Sequence, residues 1–191
     1  VLRSDANGAT RSHEGTVNGA GSAIDWLAGS VALDVERALP ALKAPPAENA
    51  PLFMNGVGGL GAPFWQPDFP IEFVGGGDDL QLLTAVVESI AFLLSVNLEA
   101  LRGVAPLERI VISGGLARCD YLCQALADVN GLVVERYALQ EATARGIAFL
   151  AAGEPADWLA PDIERSFAPA ANHSLAARYA RERRVPYLGL C

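Results

Sequence analysis

The chain has 191 residues, 51% hydrophobic and 19% charged, which fits one domain, or one with a small appendage, with a true core and disfavours a disordered chain. Its formal net charge is −8, and every basic residue except Lys43 is Arg. No basic cluster exceeds Arg181-Glu182-Arg183-Arg184, so a nucleic-acid-binding stripe is disfavoured, and two His and three Cys leave little for a metal site.

No basic segment leads into an apolar run and a small-residue cleavage site, so no signal peptide is read. The chain begins at Val1 without Met, which suggests a fragment, a processed chain or an excised domain. The most apolar stretch, residues 80–101, is broken by Gln81, Thr84, Glu88, Asn97 and Glu99 and reads as a buried helix, not a membrane span. Cys119, Cys123 and Cys191 are sparse and odd in number, as expected of reduced thiols in the cytoplasm. Asn172-His173-Ser174 formally matches a glycosylation acceptor, but without a secretion signal it is read as chance.

In chain order, residues 1–12 are polar, and Asn7-Gly8 marks a strand end and turn. A helix is expected to end at Trp26-Leu27 before Gly29, and a second over 31–42, closed by Pro45-Pro46. Leu52-Phe53-Met54, ended by Asn55-Gly56, predicts a strand. A glycine-rich loop over 56–65 continues through Pro67 and Pro70 to Gly75-Gly76-Gly77. Asp78 or Asp79 then caps a helix ending near Gly103, about 22 residues and roughly 33 Å long. Beyond Pro106 come a strand over 109–112, a Ser113-Gly114-Gly115 turn and a helix over 119–129 closed by Asn130-Gly131. A strand over 132–134 and a helix over 141–152, ended by Gly153 and Pro155, complete the pattern. Strand–helix–strand–helix at this spacing predicts an α/β domain with a parallel pair covered by helices. After Pro161 the tail reads as loop, then a helix over 175–183.

The strand–Gly-Gly–helix unit carries the chemistry most readily. Two glycines at the carboxyl end of a strand let backbone approach a ligand with no Cβ in the way. The helix start beyond them offers free N–H groups. A tight structural turn explains the same spacing, and the segment is neither GxGxxG nor a P-loop. The 56–65 loop reads as a rigid connector whose Phe64 and Trp65 pack against the sheet. Glu88 and Glu99 are expected to have structural partners rather than catalytic roles. Cys119 and Cys123 share a helix face but lack the further ligands zinc needs, so they read as core thiols. His13 and His173 have no motif around them, and no Ser or Cys sits in a nucleophile elbow.

Three segments together resemble the C-terminal domain of the FGGY carbohydrate kinases, the group that includes glycerol kinase and xylulokinase. The first is Glu14-Gly15-Thr16-Val17 with Ala20-Gly21-Ser22-Ala23-Ile24-Asp25-Trp26-Leu27. The second is Gly59-Leu60-Gly61-Ala62-Pro63-Phe64-Trp65, then Gly77 and Ala85-Val86-Val87-Glu88-Ser89-Ile90-Ala91-Phe92. The third is Ser113-Gly114-Gly115-Leu116-Ala117-Arg118, with Gln124, Ala127-Asp128-Val129, Gly131 and Glu141-Ala142-Thr143-Ala144-Arg145-Gly146-Ile147-Ala148.

The resemblance implies a ribonuclease H-like, actin-like ATPase fold, with this chain as the nucleotide-side half of a two-domain sugar kinase. It implies ATP and Mg²⁺ as cofactors, a sugar or polyol substrate and an N-terminal kinase domain as partner; nucleic acid and membrane are not expected, and a homodimer stays open. By the same resemblance Gly114 and Gly115 lie under the adenosine, and Gly21 and Asp25 form the opposite wall. Cys119 stands where glycerol-kinase-like members carry an adenine-contacting Asn, and Asp25 where a Gln is usual; both depart from the pattern. The catalytic Asp and the phosphate-binding turns would precede Val1, so no catalytic residue is expected here and the isolated chain is expected to be inactive. A domain lacking its opening hairpin would also leave an unpaired sheet edge. Two alternatives remain beside the kinase reading: a non-catalytic binding or interaction module on the same scaffold, and an unrelated α/β domain whose Gly-Gly turn is structural.

Overall fold

The structure, a computed structural model, describes residues 3–5, 8–10, 12–43, 50–138 and 141–184. Its longest element is fixed at its first turn by Asp78. The Gln81 backbone N–H donates to Asp78 Oδ1 at 2.8 Å, and the Asp78 N–H donates to Gln81 Oε1 at 2.9 Å. This reciprocal cap satisfies two donors that a helix start leaves unpaired. Helix Asp79–Arg102, capped at its far end by Gly103, follows without interruption.

The other elements surround that helix. In chain order they are β1 (Arg3–Asp5), β2 (Gly8–Thr10), α1 (Gly21–Ala28), α2 (Val35–Ala38), β3 (Leu52–Asn55), β4 (Ile71–Val74) and α3, the long helix itself. There follow β5 (Arg109–Ile112), α4 (Asp120–Asn130), β6 (Val133–Tyr137), α5 (Ala142–Ala151), β7 (Ile163–Phe167) and α6 (His173–Glu182). Helix α3 packs on β3, α1 and α4 and is buried almost all round over its middle turns. By length and composition it is apolar enough to cross a membrane, yet 67% of its apolar window is buried inside the fold.

Strands β5 and β6 pair in parallel, Arg109 opposite Val133, as the strand–helix–strand spacing predicts. Strand β7 adds to β6 in the antiparallel sense, giving the order β5-β6-β7. Strands β1 with β2 and β3 with β4 form separate antiparallel pairs. Trp26, Phe53 and Phe73 stack where α1 meets the second pair, with centroid separations of 4.8–6.2 Å.

Several expectations change. Residues 71–74 and 163–167, read as loop and connection, are strands; the first is short and flanked by Pro70 and Gly75, and the second, Ile-Glu-Arg-Ser-Phe, is too polar to stand out. The helix expected over 31–42 is one α-helical turn capped by Asp34, then a 3₁₀ turn at Leu39–Ala41, because Pro40 has no N–H to continue the α ladder. Trp65 does not pack on a sheet: it is 69% exposed, and only Phe64 joins a small apolar cluster with Met54, Leu60, Phe69 and Leu93. Asn7, Pro45-Pro46 and Cys191 lie outside the described residues.

The core also holds a charged cluster. Glu88, midway along α3, receives Arg178 Nε at 2.7 Å and Arg178 Nη2 at 2.6 Å from α6, and the Tyr121 hydroxyl from α4. All three side chains are buried. Burial, and then the neighbouring carboxylate, push the Tyr121 hydroxyl far above its usual range, so it remains a donor. Glu99, further along α3, repeats the link by accepting from Tyr179 at 2.7 Å and from Arg183.

Removing one partner of a buried pair strands the other charge, at a cost of about 3–5 kcal/mol. Glu88→Ala is therefore expected to lower the urea midpoint strongly, and Arg183→Ala, at an exposed pair, to shift it little.

Candidate functional site

The glycines of this chain separate into two kinds according to what a Cβ would meet. At Gly15 it would lie 2.2 Å from Asn97 Oδ1, and at Gly19 2.2 Å from Asn55 Oδ1. At Gly61 it would lie 2.1 Å from the Thr16 carbonyl, and at Gly56 2.0 Å from that of Phe69. At Gly56 and Gly61 backbone segments press together, and at Gly15 and Gly19 an Asn side chain that hydrogen-bonds a backbone carbonyl fills the space. Asn97 Nδ2 donates to the Ala62 carbonyl at 2.9 Å, Asn55 Nδ2 to that of Gly19 at 2.7 Å, and the Ala62 N–H to that of Thr16 at 2.9 Å. Gly15, Gly19 and Gly61 are thus held against α3, β3 and a neighbouring loop, and these glycines serve packing.

Gly21, Gly114 and Gly115 are of the other kind, since a Cβ on any of them meets nothing within 4 Å. Gly114 requires glycine through its φ of +90°, which turns the chain sharply at the end of β5. For Gly115 and Gly21, neither packing nor backbone angle demands it. Their faces are open backbone.

Gly114 and Gly115 line a cleft of about 840 Å³, within the range of small-molecule sites. Its other walls are Glu36 from α2, Ser113 and Arg118 from the turn, and Glu141, Ala142 and Thr143 from the start of α5. An adjoining cavity of about 480 Å³ shares Ser113, Gly114 and Arg118 and adds Arg136, Tyr137, Ala138 and Glu164. A separate apolar cavity of about 300 Å³ between Pro63-Phe64, α3 and α6 shares no residue with either. The Gly-Gly cleft lies at the carboxyl edge of the parallel pair, where sheets of this class bind ligands.

The two arginines here differ. Arg136 donates to the Ala117 carbonyl at 2.9 Å, to Asp120 at 2.8 Å and to Glu164 at 3.2 Å, while Arg165 also reaches Asp120. Burial opposes the Arg136 charge, but these acceptors outweigh it and raise its pKa. Arg118 is exposed, with no ion-pair partner among the described residues. One cation is locked and the other is available.

Of the residues singled out from the sequence, Gly114 and Gly115 stand together on the cleft wall. Gly21 and Asp25 are exposed one turn apart on α1 and are not among the cleft's lining residues. Cys119 is 1% exposed at the cap of α4, so its thiol does not present a group to the cleft. Burial raises its pKa, and that of Cys123 to about 11, as core thiols behave. Glu36, Arg118, Glu141 and Thr143 complete the wall. Arg118 belongs to a segment the sequence marks, whereas no spacing rule could bring Glu36 beside the Gly-Gly turn.

Fold and cleft define an α/β domain with an open cleft built on glycine backbone at its sheet edge. A family model for the FGGY family of carbohydrate kinases, C-terminal domain, matches residues 5–153. The chain belongs to that family. It is 34% identical over 144 residues to glycerol kinase of Synechocystis sp., covering 71% of this chain and 29% of the relative. Glycerol kinase of Shewanella amazonensis is 32% identical over 200 residues, covering 97% and 39%. The chain thus spans about a third of the length of the relatives it matches. Among solved structures it superposes on Plasmodium falciparum glycerol kinase with ADP at a TM-score of 0.68 and 20% identity, covering 85% of this chain and 35% of that one. Xylulose kinase from Rhodospirillum rubrum gives 0.65 at 23% identity, covering 84% and 35%. The fold is that of the ribonuclease H-like, actin-like sugar kinases, in their C-terminal half.

Gly61→Ala is expected to cost about 1–3 kcal/mol by forcing backbone apart, and Gly115→Ala to stay within about 0.5 kcal/mol, both read from urea unfolding. Cys119 and Cys123, held as buried thiols by their raised pKa values, are expected to resist iodoacetamide at pH 8 until the protein unfolds, as followed by peptide mass spectrometry.

Proposed function

We propose that this chain is the adenosine-binding, nucleotide-side domain of an ATP-dependent carbohydrate kinase. One observation carries the reading: Gly114 and Gly115 hold open backbone at the carboxyl edge of β5, with room that no described residue fills. A ribose or purine ring would rest where a side chain would otherwise stand. When bound, ATP supplies the phosphoryl group for a hydroxyl of a sugar or polyol. This chain contributes a platform for the nucleoside through the turn after β5, with Gly21 and Asp25 of α1 on the opposing side.

Mg²⁺ is assigned to the nucleotide phosphates and to the rest of the enzyme, since no group of three or more His, Cys, Asp or Glu side chains suited to a metal exists among the described residues. Phosphoryl transfer needs a base and a phosphate cradle, which we assign to an N-terminal domain, so the isolated chain is inactive as a kinase. The sugar or polyol is held mainly by that domain, and the enzyme works in the cytoplasm, beside the ATP pool. A second reading, a binding module that has lost catalysis, is favoured by the buried thiol at Cys119.

Titration of MgADP into ¹⁵N-labelled protein is expected to shift amides at Gly114, Gly115 and the Cys119 turn, together with Gly21. Gly115→Arg, placed in open space, is expected to abolish those shifts while leaving the urea midpoint unchanged. Shifts that persist in the variant remove the adenosine assignment.

A further inference from the structure

The cleft leaves one question that the glycines do not answer, namely which side chains read the base. Backbone glycine accepts any flat ring, so discrimination among bases must come from side chains with donors and acceptors at the wall. Cys119 is buried, and a thiol is a weak donor and acceptor in any case. Among the lining residues Arg118, beside the Gly-Gly turn, is the one cation and Glu36 on α2 and Glu141 before α5 are the carboxylates, none with a side-chain partner among the described residues, and Ser113 and Thr143 add hydroxyls. Arg136, by contrast, is already held by Asp120 and Glu164.

We propose that Arg118 and Glu36 are the base-reading residues of this cleft, and that the pair accepts guanine as well as adenine. The inference rests on the nucleotide reading of the cleft. Its chemistry follows from the two side chains. A guanidinium offers donors only, in a planar fork, and the adjacent O6 and N7 of guanine are the acceptors that match it two at a time. A carboxylate offers acceptors only, which suits the N1–H and N2–H₂ donors of guanine. Adenine can also be held, with N7 receiving from Arg118 and N6–H₂ donating to Glu36, but it offers the guanidinium one acceptor fewer.

The test is a comparison of MgADP and MgGDP binding to the 191-residue chain by ¹⁵N amide shifts, with dissociation constants from the titration curves. MgGDP is expected to bind within about threefold of MgADP or more tightly. Arg118→Ala, a truncation at an exposed side chain, is expected to weaken MgGDP roughly tenfold and MgADP less. Arg118→Lys should fail to restore MgGDP, because an ammonium keeps the charge without the fork. Glu36→Gln should weaken both nucleotides. MgADP binding with MgGDP ten times weaker or worse, or Arg118→Ala leaving MgGDP unchanged, overturns this inference and leaves the nucleotide site standing. Silence toward both nucleotides overturns the nucleotide reading, and this inference falls with it.

Discussion

Glu88 is the point through which the fold is held together. It sits at the middle of α3 with no access to water, and a carboxylate there is tolerable only with its lone pairs satisfied. Arg178 supplies two donors and Tyr121 a third, so one charge fixes the positions of α4 and α6 relative to α3. Helix α4 in turn packs on β6, which sets where the turn after β5 stands. The cleft thus rests on a buried ion pair more than ten residues removed in sequence from any of its lining residues.

The same helix serves a second purpose. Its Asn97 meets Gly15 and holds the Ala62 carbonyl, while Gly19 meets Asn55 of β3 and Gly61 the Thr16 carbonyl, each so closely that a methyl group would collide. Glycine in those segments is a packing requirement. At the end of β5 glycine leaves space instead. Gly15, Gly19 and Gly61 of the first two family-resembling segments therefore build the scaffold, and the third segment lines the open cleft. A motif rich in glycine does not by itself say which of these tasks it performs.

The electrostatics of the cleft follow a similar division. Asp120 at the start of α4 is neutralised by Arg136 and Arg165, and Arg136 is spent on Asp120, Glu164 and a backbone carbonyl. That network braces the strand edge rather than offering charge to a ligand. Arg118, close to it in sequence and exposed, retains its donors. Which of several arginines is available is a matter of where its carboxylate neighbours lie, and this is decided by strands β6 and β7 coming side by side.

The sequence alone determined the elements whose signals are local. An Asp at 78 or 79 started the long helix, with the structure choosing Asp78, Gly103 ended it, and Asn130-Gly131 closed α4, because caps and left-handed turns depend on residues a few positions apart. The parallel pair was legible from β-branched runs separated by one helix, and Gly114 and Gly115 from their place after a strand. Tertiary structure alone decided the rest. Strand β7 is polar over its three middle residues and becomes a strand where β6 offers an edge. Cys119 lies close to the Gly-Gly turn in sequence yet is folded into the core, whereas Glu36, distant along the chain, arrives at the cleft. Burial and adjacency are properties of packing between distant segments, and no local spacing encodes them.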